Sequence, residues 1–481
     1  MDKENQTEKN SKTTNKNLYS IVFIGSAFIV LFAVMISYIC VFSFSNKQEM
    51  MDNSYNTHQA LLKKQNSRGS IYSSDGKILA RTVKDDKGEE VREYPYEKVF
   101  AHIVGFSSHG RSGIEDMANY YLINSNISIN SKANAYENEE KFPGDSLYTT
   151  LDTRLQETAY EALSAHKGAV IVSNVKTGEI LAMVSKPDFD PNNLDKEWVS
   201  MTTDEDNTQL LNRATQGLYP PGSTFKIVTA LEYFRENGDN YKNYHFSCNG
   251  RFTYEGNTIN CFHGESHGSV DFPLSFAKSC NSSFANMAIT LDRNSFNSTL
   301  SGLMFGSELP WDMNHKKSSA ICNEGLSDND IMQLGIGQGK TTVTPLHMHL
   351  ITSAIANGGS LVKPRVMDRV VSDEGKVIKS FYEDETKQLI TSEEAEFLRD
   401  LMHEVVEKGT ASKLKGLSYT AAGKTGSAEF KDSTSDSHAW FTGFAPYEDP
   451  EIAVTIIVEN AGSGGEFAVP IAKRIFDKYF S

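Results

Sequence analysis

The stretch SYTAAGKTGSAEFKDSTSDSHAWFTGFAPYEDPEIAVTIIVEN, Ser418–Asn460, decides the architecture. Its segments SYTAAGKTGSAEF, HAWFTGFAPYEDP and EIAVTIIVEN read as three strands with turns between them, and AVPIAKRIFDKYF, Ala468–Phe480, follows as a helix. Far upstream, SLYTTLDTRLQETAYEAL, Ser146–Leu163, offers a strand, an Asp152 cap and an amphipathic helix. KGAVIVSNVKTGEILAMVSKP, Lys167–Pro187, is a strand hairpin turning at Lys176-Thr177-Gly178. Between these ends, Pro221–Asn357 is mainly helical and punctuated by Gly and Asn. The expected fold is therefore an α/β domain over 145–481 whose sheet draws chain from both ends.

Upstream of that domain the composition changes. The uncharged run Tyr19–Phe44 forms a helix that, rising about 1.5 Å per residue, exceeds the roughly 30 Å of a bilayer's hydrocarbon core. It has no short apolar region ending in small residues, so it reads as an uncleaved anchor, in which Cys40 is an apolar membrane residue. Lys3, Lys9, Lys12 and Lys16 slightly outnumber the acids of the 1–18 tail, which places the N-terminus in the cytoplasm and everything after Ser45 outside. The segment 45–144 reads as a short pedestal. RGSIYSSDGKILA, Arg68–Ala80, is a hairpin around Ser74-Asp75-Gly76, KDDKGEEVREYPYEK is a charged loop, a helix begins near Gly113, and Asn130–Gly144 is a polar linker. A length of 481 residues exceeds one ordinary core, and 39% hydrophobic residues with 27 Phe and 20 Tyr exclude wholesale disorder. A net charge of -15 argues against nucleic acid as a partner.

Three short motifs carry chemistry. Ser223-Thr224-Phe225-Lys226 follows Tyr219-Pro220-Pro221-Gly222, a turn that sets Ser223 on the first turn of a helix with Lys226 on the same face. A serine hydroxyl needs a base to take its proton, and a lysine serves when burial or positive neighbours lower its pKa. Ser279-Cys280-Asn281 can turn a proton-relaying hydroxyl and a substrate-holding amide toward one cleft. Lys424-Thr425-Gly426, in the first of the C-terminal strands, can set a cation beside a carboxylate and remove a side chain where substrate approaches. Each motif alone is as well explained by a helix surface, a cap or a turn. Their order and surroundings, GSTFKIVTALE, AKSCNSSFANMA and AAGKTGSAE, are what make them one set.

In that order and context the chain resembles a class B penicillin-binding protein, most like the compact penicillin-binding protein A type. The resemblance extends to Arg68-Gly69-Ser70-Ile71, Gly110-Arg111-Ser112-Gly113-Ile114-Glu115, Leu151-Asp152-Thr153, and Gly335-Ile336-Gly337-Gln338-Gly339 before Thr344-Pro345. It implies a transpeptidase domain of the serine β-lactamase-like fold, a central antiparallel sheet with helices, behind a single anchor in the bacterial cell membrane. By resemblance Ser223 is acylated, Lys226 is its general base, Ser279 and Asn281 form the second motif, and Lys424, Thr425 and Gly426 the third. The backbone N–H of Ser427 is then the second oxyanion donor beside that of Ser223. The implied reaction joins peptidoglycan stem peptides with loss of D-alanine and is inhibited by β-lactams, and the implied partner is a polytopic membrane glycan polymerase. The competing readings are a D,D-carboxypeptidase, a serine β-lactamase, and a non-catalytic β-lactam-binding or structural member of a wall-synthesis complex.

The reaction requires no cofactor. Cys248 and Cys261 share a polar hairpin-like segment, where a disulfide is the first reading outside the membrane. Zinc held by both thiolates with His263 or His267 is the rival, and free buried thiols are the third reading. Cys280 is expected to point away from the cleft and Cys322 into a loop or the core. His438 and Trp440 are expected to be packing or groove residues, and Ala461–Ala468 a flexible turn.

Overall fold

In the computed structural model, which describes residues 2–45, 57–382, 385–429 and 437–481, the C-terminal strands and the upstream hairpin form one five-stranded antiparallel sheet. Its order is Ala422–Glu429, Ser437–Ala445, Ile452–Val458, Gly168–Asn174 and Ile180–Lys186. The three inner strands are buried along nearly their whole length, so alternation cannot specify their register. Buried polar side chains supply it instead. Thr442 lies opposite Thr455 and bonds it at 2.7 Å, while the Pro345–Ala356 helix sets Thr352 against Thr442 at 2.6 Å. The same helix places His349 between Ser173, 2.7 Å from Nε2, and Thr455, 3.1 Å from Nδ1. Burial pushes His349 down to about 3, so a neutral ring offers one donor and one acceptor to these two hydroxyls.

The Thr153–Leu163 helix packs on the Ile180–Lys186 strand and against the terminal Gly464–Tyr479 helix. Asp152 caps the former through its carboxylate, which accepts from the N–H groups of Arg154 and Leu155. The terminal helix begins at Gly464, inside the segment expected to be a flexible turn. A Cβ at Gly464 would lie 2.2 Å from Trp440 O and 2.5 Å from Gly426 O, so only glycine lets this helix start against the strands.

A second sheet of six strands runs in the order Val377–Ser380, Met367–Val371, Ser146–Thr149, Ile71–Tyr72, Ile78–Lys84 and Glu90–Glu93. It draws on chain from both sides of Asp145. The expected hairpin is present, but KDDKGEEVREYPYEK is not simply a loop, because Glu90–Glu93 pairs with Arg81–Lys84 as a further strand. Likewise, Ile129–Glu137 within the expected linker is a helix, capped by Ser128 and tied to Glu374 through Ser128 N and Ser131 Oγ. None of its residues is buried, so no apolar stripe marked it in the sequence.

Behind this sheet Glu115 is wholly buried between two arginines. Arg68 Nη2 lies 2.6 Å from Glu115 Oε2, Arg92 Nε lies 2.7 Å from Oε1, and Arg68 Nη1 donates to Asn119 at 2.8 Å. Burial opposes the charged carboxyl, yet the two guanidiniums outweigh it and hold Glu115 below the ordinary carboxylate range.

One compact unit spans Asn66–Ser481, and a separate one spans Met1–Gln65. The latter contains the Asp2–Ser45 helix, whose Tyr19–Phe42 portion is long and apolar enough to cross a membrane.

Candidate active site

The Ser223 turn is held at close quarters from three directions. Gly222–Phe225 is a 3-10 turn leading into the Lys226–Asn237 helix. Tyr219 and Val343 exchange backbone hydrogen bonds at 2.9 and 2.8 Å, and Gly222 N–H donates to Gly337 O at 2.9 Å. Gly337 has φ +72°, and a Cβ there would sit 2.2 Å from Gly222 O. On the other flank the Ala422–Glu429 strand runs beside the turn. A Cβ on Gly426 would meet Pro221 O at 3.1 Å and Thr224 Cγ2 at 3.2 Å, and Trp440 Nε1 donates to Pro220 O at 3.2 Å. Ser223 itself is half-buried, and its hydroxyl makes no hydrogen bond among the described residues.

The two lysines converge on the second motif. Lys226 is fully buried, and its Nζ donates to Ser279 O at 2.6 Å, Asn281 Oδ1 at 2.7 Å and Ser279 Oγ at 3.3 Å. Three acceptors match the three protons of an ammonium group, so in this arrangement Lys226 must shed a proton before it can act as a base. Burial pushes its pKa down to about 8, partly offset by the nearby Cys280 and Cys261 sulfurs. Lys424, also fully buried, donates to Ser279 Oγ at 2.9 Å and to Thr425 O at 3.1 Å. Burial and then the charge of Lys226 drive Lys424 well below its ordinary value. Ser279 Oγ thus bridges both amines.

Backbone strain produces this bridge. Ser279 has φ +57°, a left-handed conformation that non-glycine residues rarely adopt. That bend lets the Ser279 carbonyl and hydroxyl face Lys226 while the next residue, Cys280, turns away from the cleft into the interior. Cys280 Sγ caps the Asn281–Ala288 helix by accepting from Ser283 N–H at 3.4 Å. Asn281 Nδ2 donates to Asn260 O at 3.1 Å, which orients its carbonyl oxygen toward Lys226.

All eight sequence-predicted site residues fall in this neighbourhood. Lys226, Ser279, Asn281 and Lys424 are joined by the hydrogen bonds above, Ser223 stands on the turn that leads into the Lys226 helix, and Gly426 lies against that turn at Pro221 and Thr224. Thr425 shares a hydroxyl hydrogen bond with Thr410, and Ser427 Oγ accepts from Gly464 N–H at 3.3 Å. Two neighbours escaped the sequence reading as individual contributors. Thr410 is one. The other is Gln338, whose amide, oriented to satisfy both atoms, donates to Glu429 O at 3.0 Å and accepts from Glu429 N at 3.1 Å, pairing the strand's far end like another strand. The Gly335–Gly339 motif contains Gln338, but nothing in its spacing pointed to Glu429.

Below the second motif lie the sulfurs. Cys248 and Cys261 are unbonded, with Sγ atoms 3.7 Å apart, and Cys322 is buried elsewhere. His267 approaches Cys248, whereas His263 is exposed and rests on Phe262. Trp440 is wholly buried, and His438, also buried, packs edge-on against Tyr219.

Against known proteins, residues 168–477 match the model described as penicillin binding protein transpeptidase domain, and 68–140 that of the penicillin binding protein A dimerisation domain. The chain is 28% identical to a peptidoglycan D,D-transpeptidase MrdA of Acinetobacter baumannii, covering 80% of this chain and 65% of that protein, just under two thirds of its length. It is also 28% identical to a peptidoglycan D,D-transpeptidase PbpA of Mycolicibacterium smegmatis, over 84% of this chain and 87% of the relative. Among solved structures, penicillin-binding protein A of M. tuberculosis as its imipenem acyl-enzyme complex superposes with a TM-score of 0.78 at 25% identity, covering 87% of this chain and 99% of that one. The D,D-transpeptidase domain of a peptidoglycan glycosyltransferase from Eggerthella lenta gives 0.77 at 28% identity, over 86% and 98%.

Proposed function

The chain belongs to the penicillin-binding protein transpeptidase family, and from that premise we propose that it is a serine D,D-transpeptidase crosslinking peptidoglycan stem peptides. The observation that carries this reading is the convergence of Lys226 and Lys424 on Ser279, with Asn281 Oδ1 accepting from Lys226, beside the Ser223 turn. Ser223 Oγ attacks the penultimate D-alanine carbonyl as its proton passes to the neutral amine of Lys226. The backbone N–H groups of Ser223 and Ser427 receive the charge that develops on the carbonyl oxygen. Collapse of the tetrahedral intermediate breaks the peptide bond, and the proton returns from Lys226 through Ser279 Oγ to the departing D-alanine nitrogen. An acceptor amine then attacks the acyl-enzyme along the reverse proton path, forming the crosslink and restoring Ser223.

Charge explains how substrate is held. Two buried amines sharing one hydroxyl cannot both be cationic without an anion nearby. The terminal carboxylate of D-Ala-D-Ala supplies it, lying by Lys424 with the Thr425 hydroxyl as a further donor. Gly426 leaves the strand edge open to the substrate backbone. A β-lactam presents the same carboxylate and a strained amide, and so acylates Ser223.

The apolar span Tyr19–Phe42 anchors the chain in the bacterial cell membrane with the N-terminus cytoplasmic and the catalytic unit outside, where a polytopic glycan polymerase supplies strands. The test is intact-mass analysis of the full chain in detergent with benzylpenicillin, beside Ser223→Ala, followed by stem-peptide assays with and without an acceptor amine. A lasting adduct on the parent alone and an acceptor-dependent dimer are expected. Release of D-alanine to water alone would convert the reading to a carboxypeptidase, rapid drug hydrolysis would make it a β-lactamase, and no adduct would leave a structural role.

A further inference from the structure

Two hydroxyls on one face of the Ala422–Glu429 strand are each tied to a different element. Thr425 and Ser427 lie two positions apart, so their side chains leave the strand on the same side. Ser427 Oγ is engaged by the first residue of the terminal helix, Gly464, whose N–H donates to it at 3.3 Å. Thr425 Oγ1 instead meets Thr410 Oγ1, and neither hydroxyl makes another hydrogen bond among the described residues.

The backbone holds Thr410 in place. The chain leaves the Ser392–Lys408 helix through Gly409, where a Cβ would lie 2.1 Å from Ala277 O, so only glycine lets it pass this close. Thr410 N–H donates to that same oxygen at 3.3 Å, and Ala277 stands two residues before Ser279. On the other side a Cβ at Gly465 would lie 2.6 Å from Thr410 O, so the terminal helix starts directly against it. The Thr410 backbone is thus wedged between the approach to the second motif and the terminal helix, while its side chain reaches the third motif. The residue is exposed, so burial in the core does not account for its side chain.

Proton arithmetic gives the pair a direction. Two facing hydroxyls use one proton between them and leave the other free. Thr425 adjoins Lys424, the cation to which an entering carboxylate is drawn. When that anion accepts the Thr425 proton, the contact with Thr410 survives only if Thr410 donates, and the first bond then polarises the second. We propose that Thr410 is a positioning residue that holds the Thr425 hydroxyl in the orientation that donates to the substrate's terminal carboxylate, and so sets the preference for substrates carrying that group. The proposal rests on the acyl-transfer reading of the site. Because Thr410 acts through Thr425 on the carboxylate and not on the reacting carbonyl, its loss weakens capture of acids and spares compounds whose carboxylate is blocked.

The test compares second-order acylation constants of the full chain in detergent for benzylpenicillin and its methyl ester, followed by intact mass against time. Thr410→Val, which exchanges the hydroxyl for a methyl group, should lower the constant for the acid about tenfold and change that for the ester less than about twofold. Thr410→Ser, which keeps the hydroxyl, should retain the parental acid-over-ester preference. Action through Thr425 also requires that Thr410→Val combined with Thr425→Val lose no more of that preference than Thr425→Val alone. Equal losses on acid and ester would make Thr410 a structural brace of the strand and overturn the proposal. So would an unchanged preference in Thr410→Val, a lost preference in Thr410→Ser, or additive losses in the double variant. If Thr410→Val fails to fold, seen as a missing thermal transition, Thr410→Ala carries the same comparison. A parent that forms no adduct with either compound overturns the acyl-transfer reading and this proposal with it, whereas a parent that acylates while Thr410→Val keeps its preference overturns this proposal alone.

Discussion

Two clusters of buried cations stand at opposite ends of the same design problem. Around Glu115, two guanidiniums share one carboxylate, and the donors left over reach Asn119 Oδ1 and the backbone oxygens of Glu115 and Gly69. Around Ser279, two lysine amines share one neutral hydroxyl, and among the described residues no carboxylate forms an ion pair with either. The first cluster finds its counter-charge within the chain, although Arg92 Nη2 is buried without a hydrogen-bond partner, and the two guanidiniums hold Glu115 ionised. The second is left short of negative charge, with both lysines depressed by burial. Stability accounts for the first cluster, whereas the second makes sense when an anion arrives from outside.

The sharpest way to break the comparison is at the proposed nucleophile and its proposed base. Ser223→Ala should abolish the penicillin adduct, and Lys226→Met should slow acylation by about a thousandfold, both leaving the denaturation midpoint within error of the parent or above it. Glu115→Ala should do the reverse. Leaving Arg68 and Arg92 buried without their shared anion should cost about 3–5 kcal/mol in chemical denaturation, while the folded fraction still acylates at the parental rate. A stability change below about 1 kcal/mol would show that the triad is not the closed unit described. Lys424→Met tests the contrast from the other side. Removing a buried cation with no internal anion should raise stability by about 1 kcal/mol, yet weaken capture of a substrate bearing a free carboxylate more than one with that group esterified.

The titration of Lys226 gives a gentler test. With a pKa near 8 the neutral, proton-accepting form is about a tenth of the molecules at pH 7 and about nine tenths at pH 9. Acylation under kcat/KM conditions should therefore rise about tenfold over that interval, reaching half its plateau near pH 8. A flat profile would separate the proton acceptor from Lys226. Smallest of all, Thr442→Val should lower stability by about 1 kcal/mol through loss of its bonds to Thr352 and Thr455, with no effect on acylation.

How much of this was legible varies with the range of the physical signal. The C-terminal strands, the Lys167–Pro187 hairpin and the Asp152 cap depend on residues a few positions apart, and all are present. Where local cues were weak the reading slipped. The Glu90–Glu93 strand is charged and only partly buried, and the Ile129–Glu137 helix buries nothing, so neither carries the apolar periodicity that advertises an element. The site divides the same way. Ser223 and Lys226 share one turn and could be read together, as could Ser279 with Asn281. Thr410 opposite Thr425, Gln338 opposite Glu429, and Arg68 with Arg92 on Glu115 could not, because no periodicity links residues brought together only by folding.

The sulfurs make the division clearest. The sequence showed two cysteines and two histidines in one polar segment and left disulfide, zinc and free thiols open, with Cys280 assigned only to a side away from the cleft. Composition, motif order and short-range spacing determined the family resemblance, an apolar N-terminal segment long enough to cross a membrane, and which side chains could do chemistry, because these depend on what is near in the chain. Only the tertiary structure decided that His267 rather than His263 faces the thiols, that Cys280 joins them, and that two lysines meet at one hydroxyl. Those outcomes depend on a left-handed turn at Ser279 and on the packing of strands far apart in sequence, and directions in space are fixed only when the whole core closes.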